Sequence, residues 1–149
     1  MHAYPAPQQS LAVVAATPRH AKRIAAAVRN LLIQYPQFAS FFAPGEEPFR
    51  VVDLTRAVDI ERDVIIFALG AGKTSRGASH HFGALSERGG RQKFVLALTR
   101  ARHLTRMLTC LTPEDLDPQR LEQGAFDIYR LLLAYRKDRD AKAAQALTA

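Results

Sequence analysis

Apolar residues recur at spacings of three and four at Ile24, Val28, Leu31, Leu32 and Tyr35, while Arg19, Lys22, Arg23 and Arg29 lie off that stripe. This is the pattern of an amphipathic helix. Thr17-Pro18 supplies its start, with a hydroxyl to cap and a proline pre-set for the first helical position. Pro36 ends or restarts the helix, and Phe38, Phe41 and Phe42 make a short aromatic turn expected to plug the core. The preceding SLAVVAA is short enough to be either a strand or the lead-in to the helix.

Residues 43–48, APGEEP, read as a loop, and FRVVDL (49–54) has the composition of a short strand. The following TRAVDIERDVIIFALGAG admits two readings. DVIIFAL suits a buried strand, whereas Val58, Glu61, Ile65 and Leu69 fit helical spacing with Gly70 as terminator; the caps available at Thr55 and Asp59 favour helix. Residues 70–90 hold six of the eight glycines and are expected to form a long mobile loop with at most a short helix around His80 to Leu85. Over Arg91 to Leu111, Phe94, Ala97, Leu98, Ala101, Leu104 and Leu108 share one helical arc, which predicts a second clear helix. Thr112-Pro113-Glu114-Asp115 and Asp117-Pro118 are further start signals. They lead into a last helix to about Leu147, with Leu121, Ala125, Ile128, Leu132 and Tyr135 inward. The expected fold is therefore mainly α: a single small helical domain of four to five helices over residues 10–149, with at most a short strand pair and a long Gly-rich basic loop. Residues 1–9, rich in proline and glutamine, read as a flexible N-terminal arm.

The chain has 149 residues and a formal net charge of +7, the size of one domain with a preference for anionic partners. Its single cysteine, Cys110, excludes an internal disulfide or a multi-cysteine zinc site and reads as a buried or half-buried small hydrophobe. No apolar run is long enough for a membrane span and no basic segment precedes the apolar run at Leu11 to Ala16, so a cytoplasmic protein is expected.

Charge is concentrated in one stretch. Residues 73–106 contain eight basic side chains, Lys73, Arg76, Arg88, Arg91, Lys93, Arg100, Arg102 and Arg106, against one acid, Glu87. No acid intervenes between Glu87 and Glu114, whereas a face kept only for solubility mixes signs. The expected function is a non-enzymatic nucleic-acid-binding accessory or packaging protein, contacting the phosphate backbone of DNA or RNA through those eight residues. Aromatic interleaving is sparse, which speaks against single-strand stacking. A self-assembling, coat-like helical subunit is the alternative, suggested by the alanine-rich outer surfaces of the first and last helices.

A second alternative is phosphate or nucleotide binding through Gly72, Lys73 and Thr74. Gly70-Ala71-Gly72-Lys73-Thr74 follows an apolar run and resembles the second half of the P-loop pattern G-x-x-x-x-G-K-[ST]. Phe67 stands where that pattern begins with glycine. No catalytic set, metal site or cofactor is expected. His80 and His81 are adjacent and cannot share a metal from one helix face. Ser75, Ser79 and His80 lack an orienting carboxylate at a recognisable spacing.

Overall fold

Four of the six strands lie side by side and parallel, and this overturns the expectation of a mainly helical domain. The computed structural model describes residues 9–74 and 76–147. In chain order the strands are β1 (Leu11–Ala15), β2 (Arg50–Asp53), β3 (Arg62–Ala68), the two-residue β4 (Lys73–Thr74) and β5 (Gly77–Ala78), and β6 (Ala101–Leu108). The main sheet has the order β2-β1-β3-β6, and β4 and β5 form a separate antiparallel ladder. The helices are α1 (Pro18–Gln34), α2 (Gly90–Leu98) and α3 (Gln123–Leu147).

Two segments expected to be helical are strands, for one shared reason. The run Val64-Ile65-Ile66-Phe67 is β3, paired with β1 on one side and β6 on the other. A central parallel strand is buried on both faces, so it reads as a continuous apolar run without alternation. The caps expected at Thr55 and Asp59 are not caps: both residues lie inside a short 3-10 helix, Leu54–Asp59, which is capped by Asp53, whose carboxylate accepts the Thr55 N–H at 2.9 Å. The helix beginning at Arg91 stops at Leu98, and the chain then turns into β6. Leu104 and Leu108 fall on the helical arc of Phe94, yet their spacing of four also fits one face of a strand. Pairing with β3 satisfies that strand's backbone groups, which a helix here would leave bare.

The two faces of the sheet are covered unequally. Ala12, Val14, Ile65 and Phe67 point into a core closed by Phe94 and Ala97 of α2 and Ala125 and Ile128 of α3. Phe67 and Phe94 meet edge to face at 5.4 Å. The two helices approach closely because both carry glycine where they meet: a Cβ on Gly124 would lie 2.6 Å from the Gly90 carbonyl oxygen. On the opposite face α1 lies over β1 and β2 and buries only Ala21. The aromatic turn Pro36–Phe42 does not plug the core; it buries no residue, and Phe38 is 57% exposed.

Thr17 caps α1 as its sequence predicts, its hydroxyl accepting the His20 N–H at 3.3 Å. The Thr112 signal closes a capping box with Asp115 around a single 3-10 turn. An ion pair between Arg136 and Glu114 ties α3 to that turn, and residues 137–143 beyond it are exposed. Among the described residues no helix is long and apolar enough to cross a membrane.

Candidate functional site

Because β1, β2, β3 and β6 are parallel, all their carboxyl ends emerge at one edge. From β1 the chain passes to β2 on one side and later lays β3 on the other, so the direction of winding reverses between β1 and β3. In open parallel sheets the crevice at such a reversal is where ligands bind. Here it is bounded by Ala16-Thr17-Pro18 after β1 and Leu69-Gly70-Ala71-Gly72 after β3. A cavity of about 560 Å³ opens there. Its floor is apolar, formed by Val13, Ile66, Ala68 and Leu108, with His20, Arg23 and Ile24 of α1 on one wall and Cys110 on the other. A smaller cavity of about 180 Å³, between Thr17, Ser79, His81 and Phe82, shares Gly70 and Ala71 with it.

Gly70 is the hinge between these spaces. Its φ is +67°, and a Cβ built there would lie 2.4 Å from the His20 ring. Only glycine allows both the left-handed turn and the seating of the imidazole against the backbone. Burial, reinforced by the nearby Arg23 guanidinium, lowers the His20 pKa below its ordinary value. The Cys110 Sγ lies 3.2 Å from the Ala71 carbonyl oxygen, and the thiol is exposed rather than buried as its neighbours suggested.

The charges along α1 sharpen the picture. No Asp or Glu occurs before Glu46, and the first turn of α1 holds no acid. Arg19 sits in that first turn, where the helix dipole disfavours a cation by about 0.3–1 kcal/mol, and Lys22 and Arg23 follow in the second. All three are exposed, and among the described residues none is within ion-pair distance of a carboxylate. Pro18 removes one amide from the helix start, so an anion here would be held by cationic side chains more than by a backbone cradle.

The eight residues of the basic stretch are not gathered into one face. Lys73 lies at the carboxyl edge on β4, and Arg76 and Arg88 are exposed on the connection to α2. Arg91 is held against α3 by Asp127, at 2.7 and 3.2 Å. Lys93 is half-buried, and the Arg100 Nε is buried without a hydrogen-bond partner. Arg106 is exposed on β6. Arg102 lies at the opposite, amino-terminal edge of the sheet, donating to Asp63 Oδ1 at 2.9 Å and to Glu47 Oε1 at 2.8 Å, with Glu61 3.6 Å away. These bonds hold the carboxyls of Glu47 and Asp63 down at about 2 and raise the Arg102 pKa. For Arg91 and Arg102 the acids missing from the basic stretch are supplied from elsewhere in the chain.

The Gly72-Lys73-Thr74 motif does follow a strand, but it enters the β4–β5 ladder and not a helix. The helix N-terminus that completes a P-loop is absent at this point. Ser79 and Ser86 staple the loop: Ser79 Oγ donates to the His81 carbonyl at 3.0 Å, and Ser86 Oγ accepts the Phe82 N–H at 2.9 Å. His80 Nε2 accepts the Asp117 N–H at 2.8 Å. Ser75 lies outside the described residues, as do residues 1–8 of the proposed arm. Among the described residues no three His, Cys, Asp or Glu side chains gather as a metal site.

The residues that sequence reasoning missed are Arg19, His20 and Arg23. Their signal was present as an acid-free run from the first residue to Gly45. It was masked because the acids of residues 46–63 cancel it in any sum over the amino-terminal half. The chain was compared with protein-family models, with curated proteins and with solved structures, and no match was found in any of them.

Proposed function

We propose that the protein binds a phosphate-bearing ligand at the carboxyl edge of its parallel sheet, in the crevice between α1 and the Gly70–Gly72 loop, without catalysing a reaction. The observation that carries this reading is the coincidence of three features at one place: the reversal of strand order, an open cavity of about 560 Å³ and the unpaired Arg23 in its α1 wall. The apolar floor accepts an uncharged body, while Arg23 in the wall neutralises the anionic group and Arg19, one turn earlier on α1, adds to the positive potential. Gly72 borders the same crevice, so the motif's glycine is the part of it that a phosphate bound there would meet.

Phosphate is offered both by free nucleotides and by a nucleic acid backbone, and one experiment separates them. Calorimetry with ATP, GTP and pyrophosphate is run beside fluorescence anisotropy with labelled duplex DNA and single-stranded RNA across a salt series. Binding of the small phosphates alone assigns the crevice to a nucleotide-sized ligand. Nucleic acid binding that weakens linearly on a log–log salt plot assigns it to a backbone, the slope counting the phosphates contacted. Absence of binding to all of them at low salt overturns the proposal. Because Cys110 is the one thiol in the chain and lines the cavity, the rate of its reaction with Ellman's reagent reports occupancy independently.

A further inference from the structure

The open space at the carboxyl edge does not end at Gly70. The cavity of about 180 Å³ beside Thr17 and Gly83 adjoins a third space of about 470 Å³, with which it shares Ser79 and His81. That third space is lined by polar side chains: Ser79, His80, His81, Ser86, Arg120 and Glu122. Three of them are fixed by backbone donors. His80 Nε2 accepts the Asp117 N–H at 2.8 Å, His81 Nδ1 accepts the Gly83 N–H at 3.3 Å and Ser86 Oγ accepts the Phe82 N–H at 2.9 Å. Each bond also sets what the side chain has left to offer. His81 carries its proton on Nε2, and Ser86 keeps its hydroxyl hydrogen to donate. The proton on His80 Nδ1 is buried without an acceptor among the described residues, a deficit of the kind that a bound oxygen removes.

We infer that this polar pocket receives the hydroxyl-bearing part of the crevice's ligand, which makes that ligand a phosphorylated sugar; the inference rests on the phosphate reading above. Charge separates the two ends. The cavity walled by Arg23 has no acid in its lining, whereas the polar pocket holds Arg120 and Glu122 together and carries no net formal charge. An anion is drawn to the first and opposed by Glu122 in the second, so the polar pocket suits an uncharged group. That group must both donate and accept. Glu122 has no partner among the described residues and offers two carboxylate oxygens, which neighbouring sugar hydroxyls can fill with one hydrogen each. Arg120, His81 and Ser86 donate in return to the oxygens of those hydroxyls. An apolar group placed here would strip water from these side chains and give nothing back. A phosphate ester has an alcohol as its other half, so a sugar phosphate meets both requirements in one small molecule.

The test titrates the full chain by calorimetry with ribose 5-phosphate, glucose 6-phosphate and pentyl phosphate, which carries the same anionic group on a chain without hydroxyls. The expected result is that at least one sugar phosphate binds about tenfold or more tightly than pentyl phosphate. Glu122→Ala should erase most of that preference and leave pentyl phosphate affinity unchanged, whereas Arg23→Glu should weaken all three. Glu122 is exposed, so the variant is expected to keep its melting temperature; should it not, Arg120→Ala replaces it. Pentyl phosphate binding as tightly as both sugar phosphates, or a sugar preference indifferent to Glu122→Ala, overturns the inference and leaves phosphate binding at the crevice standing. Absence of binding by all three overturns it as well, and a parallel titration with pyrophosphate then tells whether the phosphate reading falls with it.

Discussion

The two edges of the sheet carry similar kinds of side chain to opposite ends. At the amino-terminal edge Glu47, Asp63 and Arg102 satisfy one another through hydrogen bonds, and Ser10 joins them with its N–H 2.9 Å from Asp63 Oδ2. The buried Arg62 spends its donors on the carbonyls of Pro48 and Glu61. Charge there is internally closed and holds the starts of three strands together. At the carboxyl-terminal edge Arg23 stands without an acid in the wall of an open crevice, and Arg19 and Lys22 on the same two turns of α1 are likewise without ion-pair partners among the described residues. Closed charge contributes to stability, whereas uncompensated charge next to a cavity is available to a ligand. The same residue type is therefore structural at one edge and a binding candidate at the other.

Substitution can break this contrast. The largest effect is expected from Arg19→Glu/Arg23→Glu, which should weaken phosphate-ligand binding about 100-fold, or some 2.7 kcal/mol, in the calorimetric titration while leaving the melting temperature nearly unchanged. Equal loss of affinity in Arg102→Glu would show that the edges do not differ in the way proposed.

Next in size is Gly70→Ala, which forces a side chain into the left-handed region and against the His20 ring. A loss of roughly 1–3 kcal/mol in urea unfolding is expected. The double variant Gly70→Ala/His20→Ala should recover part of it, by removing the clash but not the φ strain.

Arg102→Ala is expected to lower the melting temperature by several degrees without changing phosphate affinity. Its acid limb sharpens the point. Glu47 and Asp63 have folded pKa values of about 2, below their unfolded values near 4. Their contribution is complete above pH 4 and is lost as pH falls from there to about 2. In Arg102→Ala that limb of the stability profile should shrink, as followed by circular dichroism.

The smallest effect concerns His20. Its folded pKa lies below its ordinary value of 6.5, so the unfolded chain takes up the proton first, and stability falls as pH drops through that region. A bound anion favours the protonated imidazole and reverses the preference locally. Phosphate affinity should therefore rise from pH 8 to pH 6 by less than about tenfold per unit, the limit for a single proton, and His20→Asn should flatten the profile.

Local signals in this chain were faithful where the physics is local. Thr17-Pro18 starts α1, Thr112 closes a capping box, and FRVVDL contains a short strand, because capping and turn chemistry involve residues within about four positions of one another. The α1 stripe was legible as amphipathic, but not that its Leu31 and Tyr35 would remain half exposed. That depends on how far the sheet extends beneath them.

What the sequence by itself determined was the punctuation of the chain, its cationic excess and the absence of acids from its first 45 residues. Tertiary structure alone decided that Val64–Phe67 and Ala101–Leu108 are strands, since an apolar run becomes a strand only when partners on both sides take up its backbone groups. It also decided which cations are free. Arg102 meets Glu47 across 55 residues and Arg91 meets Asp127 across 36. Coulomb energy depends on distance in space, and separation along the chain does not enter it.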